Sequence, residues 1–86
     1  MKVARNGQEA QAVQFTEAMA RGDEPVPAGV NLGFRRFQGD GTMVEYSYTI
    51  TSLGEEKNVR VGNWILTWNT CECDVLPNLD GFDKLS

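Results

Sequence analysis

Residues Asn58–Leu76 read NVRVGNWILTWNTCECDVL and hold both tryptophans and both cysteines of an 86-residue chain. Two turn signals punctuate this apolar stretch, Gly62-Asn63 and Asn69-Thr70. They divide it into three short strands joined by tight turns. Within the middle strand, period-2 alternation places Trp64, Leu66 and Trp68 on one face and Ile65 and Thr67 on the other. In the last, Cys71, Cys73 and Val75 alternate with Glu72, Asp74 and Leu76, and Pro77 ends the run.

Upstream, Val30–Phe37 and Thr42–Thr51 flank an Asp40-Gly41 turn, the pattern of a β-hairpin. Val44, Tyr46, Tyr48 and Ile50 fall on one face of its second strand, and Glu45, Ser47 and Thr49 on the other. Ser52–Lys57 reads as a polar loop. Glu9–Phe15 is a further strand, with Gln11, Val13 and Phe15 sharing a face. Thr16 caps a short helix over EAMAR that stops at Gly22, and DEPVPAG is a loop. Residues 1–7 carry Lys2 and Arg5 with little apolar content, so a loosely attached end is expected. Leu79, Phe82 and Leu85, three apart, suit a helical turn docking on the sheet.

These elements predict a single small α+β domain. It consists of one strongly twisted antiparallel sheet of five or six short strands, open or partly closed into a barrel, with one short helix near the N-terminus. The expected core is Val13, Phe15, Met19, Val44, Tyr46, Tyr48, Ile50, Val61, Trp64, Leu66, Trp68, Cys73, Val75 and Phe82.

Hydrophobic content of 41% and charged content of 23% are those of an ordinary globular chain. A net charge of −4 disfavours non-specific nucleic-acid binding, which needs clustered cations to displace counterions. No apolar run is long enough to span a bilayer, and MKVARNGQEAQAV lacks the apolar segment of a secretory signal. Together with only two cysteines, this sets the cytoplasm of the producing cell as the expected location.

The segment Val59–Leu66, VRVGNWIL, resembles a small domain common in phage and prophage genomes. That family is marked by a Val-x-x-Gly-Asp-Trp-Ile type of segment, with a Pro-Gly-Asp-Tyr-Gly variant. Glu9, Ala10, Ala12, Val13, Gln14 and Phe15 are similar to its opening strand, and Tyr48, Ile50 and Thr51 to a later one in shifted form. Phe82, Asp83 and Lys84 resemble its close. Asn63 departs from the usual Asp and Val61 from a frequent Pro; Asn also tolerates the positive φ of a turn. The resemblance implies origin more than activity, because no catalytic residues travel with the motif.

The inventory for chemistry is thin. Without histidine there is no Ser-His or Cys-His pair, and no glycine-rich phosphate loop occurs, so no enzyme and no cofactor is expected. Cys71 and Cys73 supply half a tetrahedral zinc site, and buried structural thiols are the favoured reading. Asn78, Asp80, Gly81 and Asp83 only faintly resemble a calcium loop.

Both faces of strand Trp64–Trp68 carry apolar residues, unlike a strand with one wet side. That points to an interface, either with another protein or in a homodimer. The candidate interaction residues are Trp64, Ile65, Trp68 and Leu76, with the basic doublet Arg35 and Arg36. With the origin that the resemblance implies, the leading expectation is a phage- or prophage-encoded accessory protein in the host-cell cytoplasm that contacts a host or phage protein, in host-process modulation or virion assembly. The alternatives are a module binding a nucleotide-type small ligand and an acidic mimic of nucleic acid.

Overall fold

The computed structural model describes residues 1–85. Among them are eight strands and one helix: β1 (Lys2–Arg5), β2 (Gln8–Gln14), α1 (Glu17–Arg21), β3 (Val30–Phe37), β4 (Met43–Ser52), β5 (Glu55–Val59), β6 (Trp64–Trp68), β7 (Cys73–Leu76) and β8 (Asp83–Lys84). They form two antiparallel sheets in place of the expected single one. One has five strands in the order β7-β6-β2-β1-β8, the other three in the order β3-β4-β5, and neither closes into a barrel.

The partition is made inside the stretch that decides the fold. Arg60–Asn63 does not close a hairpin. It carries the chain from β5 in one sheet to β6 in the other. Non-local bonds hold this crossover. The Tyr46 hydroxyl accepts the Val61 N–H at 3.0 Å, and the Phe15 N–H and the Gly62 N–H each bond across to the other segment, to Asn63 O and Phe15 O, at 2.8 Å. The Asn63 Oδ1 adds a local bond, accepting the Arg60 N–H at 2.9 Å.

Two cores follow from the two faces of the five-stranded sheet. The first gathers Phe15, Ala20, Val30, Tyr48, Ile50, Val59 and Ile65, between that sheet, the helix and the three-stranded sheet. The second lies on the opposite face and gathers Val3, Ala10, Ala12 and Leu66, ringed by Met1, Trp64, Trp68, Leu76, Leu79 and Phe82. Adjacent residues of a strand point to opposite faces, so Ile65 serves the first core and Leu66 the second.

Several expectations change accordingly. Lys2–Arg5 are not a loose end, because β1 pairs with both β2 and β8 and buries Val3. Along β2 the buried face is that of Ala10 and Ala12, which pair with Trp68 and Leu66; small side chains leave room for these large neighbours. Val13 is left exposed. Ser52–Lys57 is no loop but a two-residue turn, Leu53-Gly54, leading into β5, which ends on buried Val59 and leaves Val61 exposed in the crossover.

Val44 is 54% exposed because a register shift separates the pairs Arg36–Glu45 and Phe37–Met43, and Met43 takes the place against the core. The tail docks through Leu79 and Phe82 as expected, but as a strand pairing with β1 and not as a helical turn.

The helix lies where its caps place it, after the second strand. The Thr16 hydroxyl accepts the Met19 N–H at 3.3 Å, and Gly22 ends the helix at φ 90° with its N–H on the Met19 carbonyl. A helix this short is marginal alone. It is held by Ala20, fully buried in the first core, and by the Tyr48 hydroxyl, which donates to the Ala20 and Met19 carbonyls at 3.0 and 3.2 Å. No helix among the described residues is long and apolar enough to cross a membrane.

Candidate interaction surface

The structure separates the six residues that the sequence groups together. Ile65 is 1% exposed, packed with Phe15 and Val59 in the first core. Trp64, Trp68 and Leu76 are half-buried around the second. Trp68 lies 5.9 Å from the Phe82 ring, and the Arg5 guanidinium sits over the pair, 4.5 Å from the Phe82 centroid and 5.8 Å from that of Trp68. The two-sided apolar character of β6 is therefore explained within the chain: the strand is a partition between two cores.

Arg35 and Arg36 point to opposite faces of β3. Arg35 pairs across the ladder with Tyr46, next to the core, and its Nε donates to the Tyr48 hydroxyl at 2.9 Å. Arg36 pairs with Glu45 on the outer face, and their side chains form an ion pair at 3.2 Å. The cysteines also part. Cys71 is exposed in a turn at φ 70°, while Cys73, half-buried in β7, lies against Gly29, where an added Cβ would come within 3.0 Å of its sulfur. Among the described residues no three His, Cys, Asp or Glu side chains come together in a metal-binding group. Asn78 is occupied locally, its Oδ1 accepting the Asp80 N–H at 3.0 Å.

The surface that stands out is β3, the first strand of the expected hairpin, which contributes no residue to the expected core. Of its eight residues only Val30 is buried; Leu32, Phe34 and Phe37 are exposed at 48%, 44% and 45%. Val30 and Leu32 share the core-facing side with their partners Ile50 and Tyr48. A register shift at Gly33 then turns Phe34, opposite Ser47, to the outer side. Apolar side chains thus flank this strand on both faces.

β3 is also an edge, paired with β4 alone. The direction of its backbone groups follows from the far hairpin. Ser52 and Glu55 close a two-residue turn and so exchange both their hydrogen bonds. By alternation Tyr48 and Ile50 bond toward β5, while Ser47 and Thr49 bond toward β3. The backbone N–H and C=O of Leu32 and Arg35, opposite Tyr48 and Tyr46, consequently face outward. Consistent with this, the Val30 N–H turns away from β4 to the Pro27 carbonyl, at 3.2 Å.

The remaining edges differ. β5 carries Glu55, Glu56 and Lys57, β7 has four residues and β8 two. Charge and brevity are the usual guards of a sheet edge. β3 is not short: it has eight residues, two of them charged.

Two open hollows lie beside Trp68 and Asn69. One, of about 220 Å³, is lined by Lys2, Glu9, Gln11 and Thr67; the other, of about 310 Å³, by Gln8, Thr70 and Glu72. Both sit at or below the lower end of the range for ligand pockets, roughly 300–1,000 Å³. Comparison of the chain with protein-family models, with curated proteins and with solved structures gave no match.

Proposed function

We propose that this protein acts by protein–protein contact, through the β3 edge and not through the tryptophan strand. In this reading it is an accessory protein of the phage or prophage kind that Val59–Leu66 resembles. The observation that carries the reading is the eight-residue open edge with Leu32, Phe34 and Phe37 exposed on it. Exposed apolar residues gathered on one element mark interaction sites more often than chance surface, and an open strand edge is a common recognition element.

The small-ligand alternative rests on the two open hollows, which are at or below the usual size of a ligand pocket. The acidic-mimic alternative needs its carboxylates on one face. Four of the twelve acids, Glu9, Asp23, Glu45 and Asp74, are in ion pairs with Lys2, Arg21, Arg36 and Lys57, which dilutes such a surface.

Affinity capture from host lysate tests the proposal, comparing the native chain with a variant carrying Leu32→Ser, Phe34→Ser and Phe37→Ser. A partner held by the first and released by the second is the expected result. Equal retention by both would refute the assignment to β3.

A further inference from the structure

Building on this reading, we infer that the β3 edge takes up an extended segment of a partner protein as an added strand, and that this segment is apolar with acidic residues at its centre. An added strand projects side chains alternately to both faces of the sheet. β3 is prepared on both faces: Leu32 and Arg35 lie on the core-facing side, and Phe34 and Arg36 on the outer side. A partner docking on one face only would leave the other set uncovered. The outward N–H and C=O groups of Leu32 and Arg35 supply the ladder.

The charge of the segment follows from that of β3, which has two arginines and no acid. Arg36 already holds Glu45 of β4, its ladder partner, at 3.2 Å. A guanidinium has donors enough for a second carboxylate, brought by a strand on the other side of β3. A second copy of β3 is the poorer occupant, because self-pairing places four guanidinium groups and no carboxylate on one ladder. Gly33 sets where the incoming strand must bend, since it is the extra residue of the register shift. Its missing side chain leaves no Cβ to press on Ser47, whose Oγ would lie 3.1 Å away.

The test uses an end-capped, fluorescein-labelled octapeptide of valine and threonine with two central glutamates, titrated with the full chain and read by anisotropy. Its lysine counterpart and a version N-methylated at alternate residues serve as comparisons. Saturable binding of the glutamate peptide is expected, at least tenfold weaker for the lysine peptide and abolished by N-methylation. Arg36→Glu, a change at an exposed site, should invert the preference between the two charged peptides.

No binding of the glutamate peptide, or equal binding after N-methylation, would overturn strand addition. Sedimentation showing a dimer that Phe34→Ser dissolves would overturn the choice of occupant. Neither result touches the broader reading, which fails separately if the triple serine variant captures the same partner as the native chain.

Discussion

The Nε of Arg35 donates to the hydroxyl of Tyr48 at 2.9 Å, and that hydroxyl donates in turn to the carbonyls that end the helix, Ala20 O at 3.0 Å and Met19 O at 3.2 Å. One phenol thus joins the edge strand β3, the central strand β4 and the C-terminus of α1. The cation also stands at the negative end of the helix, where its charge is favoured. Gly22 permits the approach, because a Cβ there would lie 2.8 Å from the guanidinium carbon.

Tyr48→Phe keeps the edge-on contact with Phe15, whose ring centroid lies 5.0 Å away, and removes only the hydroxyl. The Ala20 carbonyl and Arg35 each lose a partner at the margin of the core. The expected cost is about 1–3 kcal/mol, the penalty for stranding buried polar groups. Urea denaturation measures it directly; a variant as stable as the native chain would show that the bridge contributes nothing.

Ile65 distinguishes a core partition from an interface. As a fully buried residue of the first core, its change to Ala should cost about 2–5 kcal/mol. The loss should be the same at protein concentrations tenfold apart, because it belongs to one folded chain. If Ile65 instead sealed a subunit contact, the melting temperature would depend on concentration in the native protein and lose that dependence in the variant.

What the sequence revealed was local. The β3–β4 hairpin, the Thr16 and Gly22 caps and the alternation along β6 were all legible from neighbours within a few residues. The division into two sheets was not, because Gly62-Asn63 looks like any hairpin turn until Tyr46 and Phe15 bind it from afar. Alternation also cannot say which face is inside when both are packed. Along β2 the larger Val13 makes its face look like the inner one, although Ala10 and Ala12 are the residues that pack. The candidate surface is hidden for a related reason: Arg35-Arg36 stands out as a basic doublet, while Leu32, Phe34 and Phe37 look like the apolar positions of any hairpin strand until the edge position of β3 is known.

Leu53 breaks a local rule. It occupies the first position of the two-residue turn between β4 and β5 at φ 51°, followed by Gly54 at φ 80°, and is 80% exposed. Both turn residues have positive φ, the mirror-image turn that favours Asn-Gly. A leucine there bears the left-handed strain without burying its side chain. Leu53→Asn is expected to stabilise the domain by about 0.5–1 kcal/mol. Thermal denaturation would show a rise of a few degrees, and a fall would mean that Leu53 makes a contact that outweighs the strain.

Asp40 sets a pH response in the other hairpin. Its Oδ1 accepts the Thr42 backbone N–H at 2.9 Å, and this bond, with the Thr42 hydroxyl, holds the carboxyl below its ordinary pKa. The ionised form is the one stabilised by folding. Its contribution is therefore complete above the ordinary carboxylate pKa and is lost as pH falls through the lowered value of the folded state. The Thr42 amide proton reports the bond, so its chemical shift should titrate with a midpoint below that of an aspartate in an unstructured peptide. Asp40→Asn should flatten that curve, since an amide does not titrate in this range. A midpoint at or above the peptide value would show that the turn does not hold the carboxylate in solution.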